Sequence, residues 1–389
     1  MACDVLIVGG GPAGSSCAWA LRGSGLDVAI LDRQTFPRDK VCGGWITPQV
    51  LRELDIHPDE YARDEYGQTR VLQPIRAFRT GWIGGPPMDT DYGTTVSYGI
   101  RRREFDHYLL RRSGARLLDP AAVTSLERDK DGWLVNGVIR TRLLVGAGGH
   151  FCPIAKLTGA RRTREDAVVA QEAEFEMDRD QQAGCRVRAE APELYFCADL
   201  KGYGWCFRKN NYLNIGLGRM DQHRLAEHVA AFVQWLKCTG RISFDLPAAC
   251  MGHAYLLYGV SERKLTDDGV LLIGDAAGLA YKQSGEGIRP AIESGLLAAQ
   301  TIREAQGNYT RASLATYGTL LASRFGKSGQ DWASRLGSHL PSAWIGAAGR
   351  RLLGARWFVR DVVIDRWFLH VNDPPLDVRV PALASRAGF

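Results

Sequence analysis

The sequence has little that would place it in or across a membrane. In its 389 residues no apolar run approaches the ~18–20 residues of a spanning helix. Met1-Ala2-Cys3-Asp4 leads straight into an apolar strand, without the stretches that make up a secretory signal. The nine cysteines form no CxxC pair and no Cys/His metal-ligand spacing. These absences predict no metal, free thiols and a reducing cytoplasm. Charge of one sign is scarce too. Forty-nine Lys and Arg against 43 Asp and Glu leave a net charge of +6. That is too dilute for a nucleic-acid surface and suits an anionic substrate or an anionic membrane face. With 45% hydrophobic and 24% charged residues, the chain is long enough for two domains, or for one large domain with another inserted.

What the chain does have begins at its start. Val5 to Val8 reads as a buried parallel strand, and Gly9, Gly11 and Gly14 then give G-x-G-x-x-G, with Pro12 and Ala13 between the last two. A helical pattern follows over Ser15–Arg22, then a second apolar strand over Asp27–Leu31, ending at Asp32. This is the βαβ dinucleotide fingerprint in its required context. Gly9 permits the tight turn, Gly11 lets the backbone approach a pyrophosphate, and Gly14 lets the helix pack on the strand. The helix start offers N–H groups to phosphate. Asp32 suits a free ribose 2′-OH, whereas the adjacent Arg33 suits a 2′-phosphate, so NAD and FAD both fit at this point.

The next loop, Arg33 to Trp45, is basic and carries Arg38, Lys40, Cys42, Gly43 and Gly44. A thiol with such neighbours has surroundings that favour thiolate, although most free cysteines are simply small buried residues. Residues 67–98 alternate apolar and polar and read as strands outside the first sheet. Arg101, Arg102 and Arg103 open a helix, against its dipole, which predicts an acidic partner for at least one of them. The segment 121–144 reads as a meander that ends in Gly146-Ala147-Gly148-Gly149. From Val168 to Met220 four strands are predicted, carrying Tyr195, Phe196, Tyr203, Trp205, Phe207 and Tyr212. Such aromatics can wall an apolar pocket or simply fill a core. Near the far end, a buried strand runs into Gly274-Asp275, then Gly285, Gly287 and Ile288, and a long helix. An acid at a strand end can hold a polyol hydroxyl. Paired with the first motif, it would clamp the other end of a long cofactor. The tail, 317–389, is predicted helical. Its stretch 343–369 sets Arg350, Arg351, Arg356, Arg360 and Arg366 among Trp344, Trp357 and Trp367, a pattern that fits a membrane surface or a capping helix.

These motifs together carry a resemblance. The chain resembles the FAD-dependent geranylgeranyl reductase family, within the wider p-hydroxybenzoate-hydroxylase-like flavoproteins, over most of residues 1–310. GGGPAGSSCAWAL is similar to the family's FAD fingerprint. FPRDKVCGG looks like its loop after the second strand, the most specific match, with Cys42 on the family's cysteine. IRRREFDHYLL is similar to the R-x-x-F-D helix start, with Arg102 on the cofactor-contacting arginine. GVLLIGDAAGLAYKQSGEGI looks like the ribityl-binding segment, with Asp275 on its acid. There are departures. Gly146-Ala147-Gly148-Gly149 stands where G-A-D-G is usual, Lys282 replaces a common proline, and Tyr203-Gly204-Trp205-Cys206-Phe207-Arg208 meets the Y-x-W-x-F-P lipid-pocket motif only in part.

The resemblance implies an α/β fold: a Rossmann-like FAD-binding domain (1–75, 96–165 and 255–315), an inserted β-rich substrate domain (76–95 and 166–254) and a C-terminal helical region (316–389). FAD would touch Gly9, Gly11, Pro12, Ala13, Gly14, Asp32, Arg33, Lys40, Cys42, Gly43, Arg102, Gly274, Asp275, Gly285, Gly287 and Ile288. Cys42 and Lys282 would serve catalysis, and Tyr203, Trp205 and Phe207 would line the pocket. The implied activity is reduction of C=C bonds in an isoprenoid-type or other apolar, lipid-like substrate. No second G-x-G-x-x-G follows, so NAD(P)H would dock transiently or a reduced redox protein would supply electrons. A peripheral membrane contact and a protein partner are compatible with the tail. Other readings stay open: a monooxygenase or halogenase of the same fold, an oxidase that modifies a partner protein, and a non-catalytic prenyl-chain carrier. The intact Gly274-Asp275 segment speaks against the carrier.

Overall fold

The computed structural model describes the chain except residues 64–66, 68, 163–164, 222–223, 248, 262, 327–348 and 379–389. Trp344 of the basic tail lies outside the described residues. Ala2–Val8 is apolar and almost wholly buried, as a strand covered on both faces must be. It pairs in parallel with Ile139–Gly146 on one side and Val28–Leu31 on the other. The sheet runs Thr266–Asp267, Val270–Leu272, Ile139–Gly146, Ala2–Val8, Val28–Leu31, Arg116–Leu117. The strands Leu126–Asp129 and Gly132–Val135 extend Ile139–Gly146 as a meander. The register matters for the site. Val8 lies beside Leu31 and Gly146, and Gly146 beside Leu272. The loops carrying Gly9, Asp32, Ala147 and Gly274 therefore leave one edge of one sheet, where open α/β sheets place their ligands.

Two helices close over that edge. Pro12–Ala20 starts where the fingerprint predicts, three residues earlier than the sequence pattern alone suggests, because Pro12 is at home in a first turn. Ile288–Glu304 crosses it closely: a Cβ on Gly295 would fall 2.4 Å from the Ala13 carbonyl oxygen.

The second sheet has seven strands in the order Met251–Tyr255, Val168–Glu176, Tyr212–Arg219, Gly202–Lys209, Glu193–Phe196, Ala77–Trp82, Met88–Asp91. Alternation divides its residues between two faces. Tyr195, Cys206, Leu213, Ile215 and Leu217 face backward onto Val229, Phe232 and Leu236 of the helix Leu225–Cys238. Tyr195 thus belongs to this rear core and not to the aromatic wall expected from sequence. The front face carries Leu194 and Phe196, then Tyr203, Trp205 and Phe207, then Asn214 and Gly216, then Glu172, as the pairs Leu194–Trp205, Trp205–Gly216 and Glu172–Gly216 require. It grades from apolar at one end to ionisable at the other. A small sheet of Trp45–Ile46, Ser97–Ile100 and Leu72–Ile75 lies between the two large ones in sequence.

The C-terminal region settles on the apolar end of this front face. The π-helix Phe358–Phe368 buries Val359, Val363, Ile364 and Phe368 in the cluster that holds Trp45, Phe78, Leu194, Phe196, Trp205 and Phe207. Phe368 stacks on Trp45, with ring centroids 5.3 Å apart, and meets Tyr203 edge-on at 5.6 Å. The tail is not helical throughout: residues 370–378 are irregular.

Candidate active site

The start of the first helix is a cradle. Gly9 has φ +118°, and a Cβ there would lie 2.4 Å from the Ala147 oxygen. A Cβ on Gly14 would lie 2.0 Å from the Gly9 oxygen, so the helix can sit on its strand only with glycine there. No side chain caps the helix at Gly11, and its first turn holds no acid. The nearest atom a Cβ on Gly11 would meet is Arg38 Nη2, at 3.5 Å. Arg38 Nη1 is buried and lies 3.3 Å from Asp106 Oδ2, an ion pair without hydrogen-bond geometry. An uncapped helix start with a buried guanidinium beside it fits a diphosphate. Asp32 accepts the Gly10 N–H at 2.8 Å and the Gln34 N–H at 3.0 Å. A carboxylate has lone pairs left for a ribose hydroxyl. Arg33 is exposed beside it.

The second motif meets the first directly. A Cβ on Gly274, which has φ +60°, would lie 2.9 Å from the Ala13 Cβ. The Gly274 N–H donates to Ser294 Oγ at 2.9 Å. Next to it, Asp275 Oδ1 would be 3.2 Å from a Cβ on Gly287, and Ile288 opens the long helix. Asp275 also pairs with His253 Nε2 at 3.5 Å, and the His253 ring meets Lys40 Nζ at 3.0 and 3.2 Å. Burial pushes the Lys40 ammonium down to about 8, helped by Arg102, against the pull of Asp275. Burial alone would raise the Asp275 carboxyl, but the His253 hydrogen bond, Lys40 and Arg102 hold it below the usual range. Burial also lowers His253.

Cys42 is half-buried on the loop after Lys40. Its thiol accepts the Gly44 N–H at 3.4 Å, and its carbonyl accepts Asn214 Nδ2 at 3.2 Å. The Cys42 N–H donates to Glu172 Oε1. Gly43 lies against the sheet, since a Cβ there would meet the Phe207 ring at 3.1 Å and Trp205 Nε1 at 3.6 Å. Arg102 is buried and forked onto Asp106 at 2.7 and 2.8 Å. Burial pulls its guanidinium down, but Asp106 and the Cys42 thiol outweigh that and hold it above its ordinary value. All three arginines of this helix start find carboxylates within the protein: Arg101 with Glu104 at 2.8 Å, Arg102 with Asp106, and Arg103 with Asp39 at 3.4 Å.

The structure therefore gathers the fingerprint glycines with Pro12 and Ala13, Asp32, Lys40, Cys42, Gly43, Arg102, Gly274, Asp275, Gly287 and Ile288 along one crevice between the two sheets. Gly285 borders it at Tyr255, whose hydroxyl would lie 2.4 Å from a Cβ there. The Tyr203 hydroxyl donates to the Ser284 carbonyl on the same loop. Lys282 is exposed on the turn that runs into Ser284. Sequence reasoning passed over Glu172, Asn214, His253 and Tyr255. Their signal was available: each sits in the inward phase of its strand, where a charge or an amide needs a reason.

Comparison with known proteins agrees with this geometry. Residues 4–84 match the family model described as FAD dependent oxidoreductase. The chain is 29% identical to a menaquinone reductase of Mycobacterium tuberculosis, over 83% of this chain and 81% of that one. It is 27% identical to digeranylgeranylglycerophospholipid reductase 2 of Methanosphaera stadtmanae, over 83% of this chain and 84% of that one. The chain is an FAD-dependent oxidoreductase, similar in sequence to these named reductases. The fold of this oxidoreductase is that of a geranylgeranyl bacteriochlorophyll reductase-like protein from Thermoplasma acidophilum, with TM-score 0.75 at 20% identity, covering 95% and 97% of the two chains. A flavin-dependent brominase shares it less closely, with TM-score 0.69 at 16% identity and 97% and 95% coverage. Among the described residues, no helix is long and apolar enough to cross a membrane.

Proposed function

We propose that this oxidoreductase reduces C=C bonds of an isoprenoid-type, lipid-like substrate. The observation that carries the reading is the packing of Gly43, next to Cys42, on Phe207 and Trp205 at the aromatic end of the second sheet. Relatives named for reducing digeranylgeranylglycerophospholipid and menaquinone support the substrate class. In this reading residues 1–75, 96–165 and 255–315 hold FAD, 76–95 and 166–254 hold the substrate, and Phe358–Phe368 of the C-terminal region (316–389) covers it. Reduced FAD supplies the hydride. The chain's residues do the rest. Arg38 and the helix start hold the diphosphate, Asp32 the ribose, and Asp275 with Gly287 the polyol. Tyr203, Trp205 and Phe207 exclude water, and Cys42 delivers a proton at its thiol. NAD(P)H or a reduced redox protein would supply the electrons. Leu352 and Trp357 are exposed beside Arg351 and Arg356, which supports a peripheral contact with an anionic membrane holding the lipid.

The test is Cys42→Ser in the FAD-loaded enzyme with isoprenoid lipids and quinones as substrates. Retained flavin with lost alkene reduction is expected. Unchanged turnover removes Cys42 from the chemistry. The brominase likeness supports one competing reading, oxygen chemistry, which would show as NAD(P)H oxidation stimulated by an aromatic substrate, with oxygen consumed.

A further inference from the structure

Glu172 is the least expected group near the crevice. It sits mid-strand in Val168–Glu176, 4% exposed, on the face that looks toward the Cys42 loop. Its Oε1 accepts the Cys42 N–H, and its buried Oε2 makes no hydrogen bond. A carboxyl in such a place normally costs stability unless it does something for the fold or the site. Its surroundings are mixed. Lys209 comes from the neighbouring hairpin and is itself tied to Glu174 at 2.7 Å, with Arg101 3.8 Å from Glu174 on its other side. Asn214 faces it from the adjoining strand and also holds the Cys42 carbonyl at 3.2 Å. From the outer neighbour come Cys250 and, two residues on from Met251, which pairs with Glu172, His253. Glu172 and Asn214 thus grip the two ends of the same residue, its N–H and its C=O, from two adjacent strands.

We propose that Glu172 is the positioning residue of the Cys42 loop: its carboxyl holds the Cys42 peptide, and gain or loss of its proton loosens or tightens that grip. An ionised carboxylate is a stronger acceptor for an N–H than a protonated acid. Burial, chiefly, pushes the Glu172 carboxyl up to about 7, so the change falls within the working range of pH. A purely structural acceptor would hold the loop equally at every pH. The inference rests on reading Cys42 as the reacting residue, but its test does not use alkene turnover. If Cys42→Ser keeps full turnover, that reading fails while the coupling measured here stands or falls by itself.

The experiment follows alkylation of Cys42 by iodoacetamide in the FAD-loaded enzyme between pH 5.5 and 8.5, with the Cys42 peptide quantified by mass spectrometry. A lone thiol gives a rate that follows one ionisation. In the wild type we expect a second break near pH 7, with reactivity per thiolate falling about fivefold above it, the difference between a neutral and a charged acceptor. Glu172→Gln keeps an oxygen acceptor but cannot titrate, and its profile is expected to lack the break near pH 7 while keeping any that Lys40 gives near pH 8. Identical profiles in the two proteins overturn the proposal. If the variant does not fold, the wild type alone decides: no break near pH 7 overturns it, and a break there, apart from that of Lys40, supports it.

Discussion

The same glutamate gives a prediction about stability whose sign is fixed by burial. In the unfolded chain a glutamate has its usual value of 4.5, and in the folded protein burial raises Glu172 to about 7. Between those values the folded protein holds a proton that the unfolded chain has released. Stability therefore falls as pH rises through the window, is unaffected below 4.5 and is fully diminished above 7. The interval is worth about 3 kcal/mol, at ~1.4 kcal/mol per pH unit. Gln is neutral at every pH, as the protonated carboxyl is. Glu172→Gln is thus expected to match the parent near pH 4.5 and to exceed it by about 3 kcal/mol at pH 8. Urea unfolding of both proteins at matched FAD concentration, at several pH values from 4.5 to 8, measures the difference directly. A difference that does not change with pH would refute the reasoning. So would one that turns against the variant as pH rises, because it would mean that the Cys42 N–H, Lys209 and Asn214 together stabilise the carboxylate more than burial penalises it.

Two further substitutions test the crevice and its cover. Gly9→Ala puts a Cβ 2.4 Å from the Ala147 oxygen at φ +118°, so a loss of roughly 2–3 kcal/mol and of bound flavin is expected. Flavin absorbance per protein after gel filtration, with a thermal melt, reads both, and an unchanged protein would show that the two loops part easily. Phe368→Ala removes the ring stacked on Trp45 and should cost roughly 3–5 kcal/mol in urea unfolding. A cost near zero would show that the π-helix merely rests on the sheet.

Much of the cofactor half was legible because its chemistry is local. A glycine pattern, a strand before it and an acid ending the next strand are all near in sequence, and each has one physical reason. Val28–Leu31 and Val270–Leu272 were visible as short apolar runs for the same cause. The substrate half was less legible. Tyr195 and Phe196 are adjacent, yet alternation sends one to the rear helix and the other to the front face, and composition cannot tell which. Glu172, Asn214 and Cys42 lie on three separate stretches, and only the strand register brings them together. An acidic partner was expected for at least one of Arg101, Arg102 and Arg103, and the chain supplies carboxylates to all three. The C-terminal segment was ambiguous because an apolar stripe among arginines looks alike against lipid and against a sheet. Burial of Val359, Val363, Ile364 and Phe368 assigns that part of the stripe to the protein's own core.

The contact between Ala13 and Gly274 joins residues 261 positions apart (274 minus 13). Val270–Leu272 adds itself to the parallel sheet beside Ile139–Gly146, and that pairing too closes a very long loop. Parallel pairings of this kind are slow to form. During synthesis the first two-thirds of the chain must therefore wait with one side of its sheet, and half of its nucleotide crevice, still open. Newly made protein is then most exposed to aggregation until its last third emerges, and flavin can stabilise the fold only from that point on.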